Sequence, residues 1–131
     1  MKLTVDTNVL VRVAVCDDDK QAQAAIQVMA QASLIAVPLP CLCEFVWVLE
    51  RVYKFGSAAC AKAVRGLLNA GNVVMNRQAV EAGLALLDTG GDFADGVMAY
   101  EGRWLGGEIF VSFDKQAVAL LVKQGEAAKL L

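Results

Sequence analysis

The 131-residue chain contains no histidine. That absence removes Ser-His-Asp and Cys-His catalysis, zinc hydrolases built on histidine ligands, and histidine-pair ribonuclease chemistry. An enzyme built on this sequence and working near neutral pH must run its proton chemistry on carboxylates, a lysine or a metal-bound water. Proline is nearly absent too: there are two, in a chain that is 57% hydrophobic. No Pro/Ser-rich linker or charge run divides it, so a single domain over residues 1–131 is expected. No apolar run reaches the roughly 18 to 20 residues of a membrane span; the longest are broken by Glu44, Glu50 and Arg51. One lysine and then Asp6 near the start do not make a signal peptide, so a cytoplasmic location is the expectation. Cysteines stand at 16, 41, 43 and 60 without a Cys-x-x-Cys pair. They are expected to be reduced and mostly buried, with no structural zinc.

What is present alternates. Residues 2–5 read as a short strand rich in β-branched side chains, 8–14 as a helix, and 17–32 as a second helix. The second helix is opened by three aspartates that suit the helix dipole and are assigned no chemistry. Residues 34–37 are a strand closed by Pro38 and Pro40. Helices follow to about 53 and over 57–70, then a strand over 72–75. Residues 77–88 and 94–105 are helical, stopped by glycines. A strand over 109–112, a helix over 115–123 and an edge strand over 127–131 complete the chain. This pattern predicts an α/β fold: a three-layer α/β/α sandwich around a central, mostly parallel sheet of four to five strands. In such sheets, sites form beyond the carboxyl ends of the strands.

The carboxylates fall there. Asp6, in "LTVDTNVLVR", directly follows the first strand; Asp114 follows "IFVSF". Asp92 and Asp95, in "GGDFAD", open the helix that leads into that strand. Each has a plain reading as a helix cap, and Asp92 with Asp95 looks like a capping pair. Glu44 resists that reading, because Leu42, Phe45, Val46 and Leu49 around it are apolar. It is expected either to pair with an arginine such as Arg12 or to face a polar pocket shared with the other acids. Acids delivered to one sheet edge by separate segments, with no His or Cys among them, favour Mg²⁺ or Mn²⁺ over zinc and suit phosphodiester hydrolysis.

"LTVDTNVLVR", Glu44 in its helix, "GGDFADGVMAY" and "FVSFD" resemble the PIN-domain nucleases, and specifically the VapC toxins of bacterial toxin–antitoxin pairs. The likeness covers the whole chain in the family's order. It implies that Asp6, Glu44, Asp95 and Asp114 surround a Mg²⁺ or Mn²⁺ ion. Asp6 and Asp95 would be the main direct ligands, Asp114 would bind directly or through water, and Glu44 would orient or deprotonate the attacking water. Asp92, Asn8 and Ser112 form a second tier; Ser112 stands where the family frequently has Thr and keeps the hydroxyl. The implied activity is endonucleolytic cleavage of single-stranded or looped RNA to 5′-phosphate and 3′-hydroxyl ends. The competing readings are a non-catalytic receiver-like signalling module and a scaffold domain. A receiver, however, wants a pair of acids after its first strand, and scaffolds usually lack some of the four.

A net charge of −2 argues against RNA binding. Five of the acids, however, belong to the presumptive metal region. Without them nine acids face twelve bases, so the remaining surface can still attract RNA. Arg12, Lys115 and Arg103 are candidates by proximity in sequence. On the helix after the second strand, Leu42, Phe45, Val46 and Leu49 make an inward stripe. Trp47 lies on the side shared with Cys43, Glu50 and Lys54. It is either packed under a neighbouring helix or an interface anchor. The mean hydropathy of +0.50 is high for a small monomer. The resemblance implies a homodimer whose hydrophobic groove takes an antitoxin tail, with an antitoxin arginine reaching the acidic pocket.

Overall fold

Strand β1 (Lys2–Thr4) runs parallel to β2 (Leu34–Ala36), with Lys2 opposite Leu34 and Thr4 opposite Ala36. On its other side β2 pairs in parallel with β3 (Val73–Val74). In this computed structural model, which describes residues 1–131, the chain divides into two units, residues 1–76 and 77–131. The three strands belong to the first. Central strand β2 buries Ile35 to 1% exposure, and Val5 and Val37 are buried just past the strand ends.

Helices connect these strands. Helix α1 (Thr7–Val15) buries Leu10 and Val11 and ends where Cys16 enters the left-handed region at φ 57°. Helix α2 (Asp19–Gln31) is capped by Asp18, which accepts the Gln21 N–H at 3.0 Å. Asn72 donates to the Met29 and Ala32 carbonyls at 2.9 and 3.0 Å, satisfying acceptors at the end of α2. Helix α3 (Leu39–Arg51) starts after Pro38 with Pro40 in its first turn, where a missing N–H costs nothing. It buries Cys41, Leu42, Phe45, Val46 and Leu49, the expected inward stripe. Helix α4 (Ser57–Leu68) adds Cys60, Ala61, Val64 and Leu68 to the core.

In the second unit, α5 (Arg77–Asp88) and α6 (Phe93–Trp104) pack so closely that glycine is required at the contact. A Cβ on Gly96 would lie 2.4 Å from the Ala82 carbonyl oxygen, and one on Gly83 would lie 2.7 Å from the Phe93 ring. Strand β4 (Phe110–Ser112), helix α7 (Lys115–Lys123) and strand β5 (Ala128–Leu130) form a parallel βαβ unit, Phe110 opposite Ala128 and Ser112 opposite Leu130. Gln124 ties α7 to α5 by donating to the Ala85 carbonyl at 2.9 Å.

The α/β class and the parallel pairing are as expected. The single sheet of four to five strands is not: the strands form one sheet of three and another of two. Every strand is three residues or fewer, so each ladder offers only two or three paired positions. Register and sheet membership are weakly specified by so short a pattern. No helix is long and apolar enough to cross a membrane. All four cysteines are free, but only Cys41 and Cys60 are buried; Cys16 is exposed and Cys43 intermediate. Cys16 departs from expectation because it serves as the αL cap that ends α1.

Candidate functional site

In both units a strand runs out and an aspartate turns the chain into a helix. Beyond β1, Asp6 adopts an extended conformation, and its Oδ1 accepts the Thr7 N–H at 2.7 Å. Beyond β4, Asp114 does the same, accepting the Gln116 and Ala117 N–H groups at 2.9 and 3.1 Å. The caps are therefore real, and they hold each carboxylate at the carboxyl end of its strand.

In the first unit, Asp6 and Glu44 line one cleft of about 320 Å³ together with Thr7, Asn8, Val11, Arg12, Val48, Val52 and Tyr53. Glu44 is exposed; of the two environments open to it, the structure gives the pocket with Asp6. Arg12 does not pair with it. Its Nη1 donates to Asp17 at 3.0 Å and to the Tyr53 hydroxyl at 3.3 Å, while its Nε donates to Gln21. The Tyr53 hydroxyl in turn donates to the other Asp17 oxygen at 2.9 Å. Behind the cleft sits Cys41, whose Sγ–H faces the Val5 carbonyl. Burial pushes its thiol pKa up, a hydrogen bond with Thr7 opposes this, and the charges of Asp6 and Glu44 add to the rise.

In the second unit, Asp92 caps α6 by accepting the Ala94 N–H at 3.1 Å, and Asp95 sits three residues on. The Asp95 carboxyl is pushed up to about 6, first by burial and then by the charges of Asp92 and Asp114. These three acids therefore share one electrostatic neighbourhood. Ser112 closes β4, and its Oγ accepts the Asp114 N–H at 3.0 Å, which fixes the backbone at that acid.

The donor set is carboxylate oxygen with hydroxyl and amide neighbours, which suits a hard cation such as Mg²⁺ or Mn²⁺. The crowding of negative charge around Asp95 is the condition a divalent cation relieves. The side chains are not drawn into a ready cage: no group of three or more His, Cys, Asp or Glu is placed to hold an ion.

Tyr53 was not among the residues singled out for the acidic pocket, and Asp17 was given no chemistry. The tyrosine lies 41 positions from Arg12, so no local spacing links them. The available signal was a tyrosine hydroxyl that would need a partner when half-buried.

The family model described as "PIN domain" matches residues 3–120 of the chain. No curated protein matches it.

Proposed function

The chain belongs to the PIN domain family, a family of nucleases in general, and from that premise we propose that it is an endoribonuclease dependent on Mg²⁺ or Mn²⁺. The observation that carries the reading is the Asp95 carboxyl, held at about 6 by burial and by the charges of Asp92 and Asp114. Strongly perturbed groups cluster at functional sites. Asp95 and Asp114, which share the acidic neighbourhood of the second unit, would hold the cation, which would supply Lewis acidity toward a phosphodiester; Asp6 is proposed as a further ligand on the family's motif alone.

The rest of the chemistry falls to the chain. Glu44 orients the attacking water and takes its proton. An exposed carboxylate in a cleft with Asp6 is accessible to water. Asp6 and Asp114 are locked by their own helix caps, so little side-chain freedom remains to be lost when substrate binds. Ser112 fixes the backbone of Asp114. Asn8 offers the cleft a polar group two residues beyond the Asp6 cap.

We also propose that the protein is a toxin of the VapC kind that acts as a homodimer and is silenced by a small antitoxin. Two features support this. Trp47 on α3 and Val52 just past its end are 57% and 59% exposed. An apolar hollow of about 550 Å³ along α1, α3 and α4 is lined by Leu10, Val13, Phe45, Phe55 and Leu67 among others. Light scattering should show a dimer at micromolar concentration, and adding the protein encoded next to the gene should shift it to a larger complex.

The test of the activity is Asp6→Asn. Asn caps a helix as well as Asp does, so the fold should survive while cleavage of single-stranded RNA in Mg²⁺ is lost. EDTA should silence the wild type equally. A variant folded by circular dichroism that cuts at the wild-type rate would sink the metal-site reading.

A further inference from the structure

Among the nine residues that line the Asp6–Glu44 cleft, Arg12 is the only cation. Two carboxylates in a cleft repel a phosphodiester, so a substrate of that charge needs a fixed positive group at the same opening. We propose that Arg12, clamped by Asp17, Gln21 and Tyr53, grips a backbone phosphate of the RNA beside the one that is cut. This deepens the nuclease reading and rests on it.

The geometry fits that task. The clamp engages Nε and Nη1, and Asp17 meets the guanidinium through one oxygen at 3.0 Å rather than by a two-point fork. The other Asp17 oxygen is taken by the Tyr53 hydroxyl. That hydroxyl thus bridges both partners, accepting from Arg12 and donating to Asp17. The result fixes where the arginine points without a bidentate carboxylate quenching it, and it leaves Nη2 to donate to a phosphate oxygen.

A purely structural ion pair is the competing account. The pair is open to solvent, with side chains 28% and 44% exposed, and pairs at such sites contribute little to stability. Four side chains, from α1, the α1–α2 loop, α2 and the segment just past α3, are therefore organised around a contact with little stabilising value of its own. They make sense as a positioned cation.

The test measures binding of a fluorescein-labelled single-stranded RNA to the full chain in EDTA, where no cutting occurs, over a series of salt concentrations. Arg12→Gln should weaken binding about tenfold. It should also flatten the log–log salt slope by about 0.7, the loss of one phosphate contact on a single strand. Arg12→Lys should restore the slope but only part of the affinity, because the charge returns without the clamp that aims it. Tyr53→Phe should weaken binding a few-fold with the slope unchanged. In Mg²⁺, Arg12→Gln should raise KM far more than it lowers kcat. Wild-type affinity and slope in folded Arg12→Gln would overturn the proposal. If that variant does not fold, wild-type affinity in both Arg12→Lys and Tyr53→Phe would overturn it instead. A wild type that never cuts RNA, yet loses affinity and slope with Arg12→Gln, would refute the nuclease reading and leave the phosphate grip standing.

Discussion

Asp95 and Asp114 lie in one electrostatic field although 18 residues and a strand separate them: the charge of Asp114 helps push the Asp95 carboxyl up to about 6. Below about 3.8 both folded and unfolded chains carry the proton at Asp95, and it costs nothing. As pH rises from there the unfolded chain ionises first and gains, so the fold loses stability until about 6, where the folded carboxyl ionises too. Asp95→Asn removes that penalty. At pH 7.5 it should stabilise the fold by about 1–2 kcal/mol, a figure reduced for the group's partial exposure to solvent. At pH 4 the gain should vanish, leaving only the small loss of a carboxylate at a helix start. Thermal melts of the two proteins at the two pH values check this; equal midpoints at pH 7.5 would refute it.

The same strain makes a second prediction. A divalent cation that binds only the folded state stabilises it by mass action, by about 2.7 kcal/mol at a hundred times its dissociation constant. Millimolar Mn²⁺ should therefore raise the melting midpoint of the wild type by several degrees. In the Asp95→Asn, Asp114→Asn double variant the rise should be largely abolished. Asn at 114 keeps the cap on α7, so the double variant tests charge without losing the helix start. No Mn²⁺ shift in the wild type would count heavily against a metal held by these acids.

Most of the framework was legible because each element carries its own boundary signal. Helix α5 and helix α7 fall on the expected residues, the first closed by Gly90 and Gly91 and the second opened by Asp114. The helix caps by Asp6, Asp92 and Asp114 are visible as Asp at a seam between apolar runs. Strands came out shorter than their apolar runs: residues 72–75 give only Val73–Val74 in the ladder. A hydrophobic run marks what is buried, whereas a strand also needs a partner at hydrogen-bonding distance. The Arg12–Asp17–Tyr53 cluster was not legible at all. Arg12 lies on α1, Asp17 in the loop before α2 and Tyr53 past the end of α3, and nothing periodic in the chain connects them.

The thiols separate by burial. Cys60 is 0% exposed, and its pKa is pushed to about 11, first by burial and then by the charge of Glu50. Cys41 is raised by burial as well. Cys16 is exposed. Since the thiolate is the reactive form, Ellman's reagent at pH 8 should label Cys16 at once and leave Cys41 and Cys60 untouched until denaturant is added. Cys16→Ser should remove the fast phase. Immediate labelling of Cys60 in the native protein would show that the α3–α4 core opens readily.

Gly96 tests the second unit without touching its acids. Gly96 lies inside α6, so helix propensity alone would favour Gly96→Ala by about 1 kcal/mol. The structure reverses that sign. The added Cβ would lie 2.4 Å from the Ala82 carbonyl oxygen and 2.8 Å from the Gly83 Cα. Both are backbone atoms of α5 and cannot rotate aside as a side chain would. Relief requires α5 and α6 to move apart, which loosens Phe93, Val97, Leu84 and Leu87, all buried to 3% or less. Overpacking of this kind costs about 1–3 kcal/mol, so the variant should melt several degrees below the wild type. It should also lose part of its Mn²⁺ stabilisation, because Asp95 lies one residue before Gly96 and moves with it. A control, Gly102→Ala on the same helix, meets nothing within 4 Å and should be neutral or stabilising. If Gly96→Ala were as stable as the wild type, the close α5–α6 packing described above would be wrong.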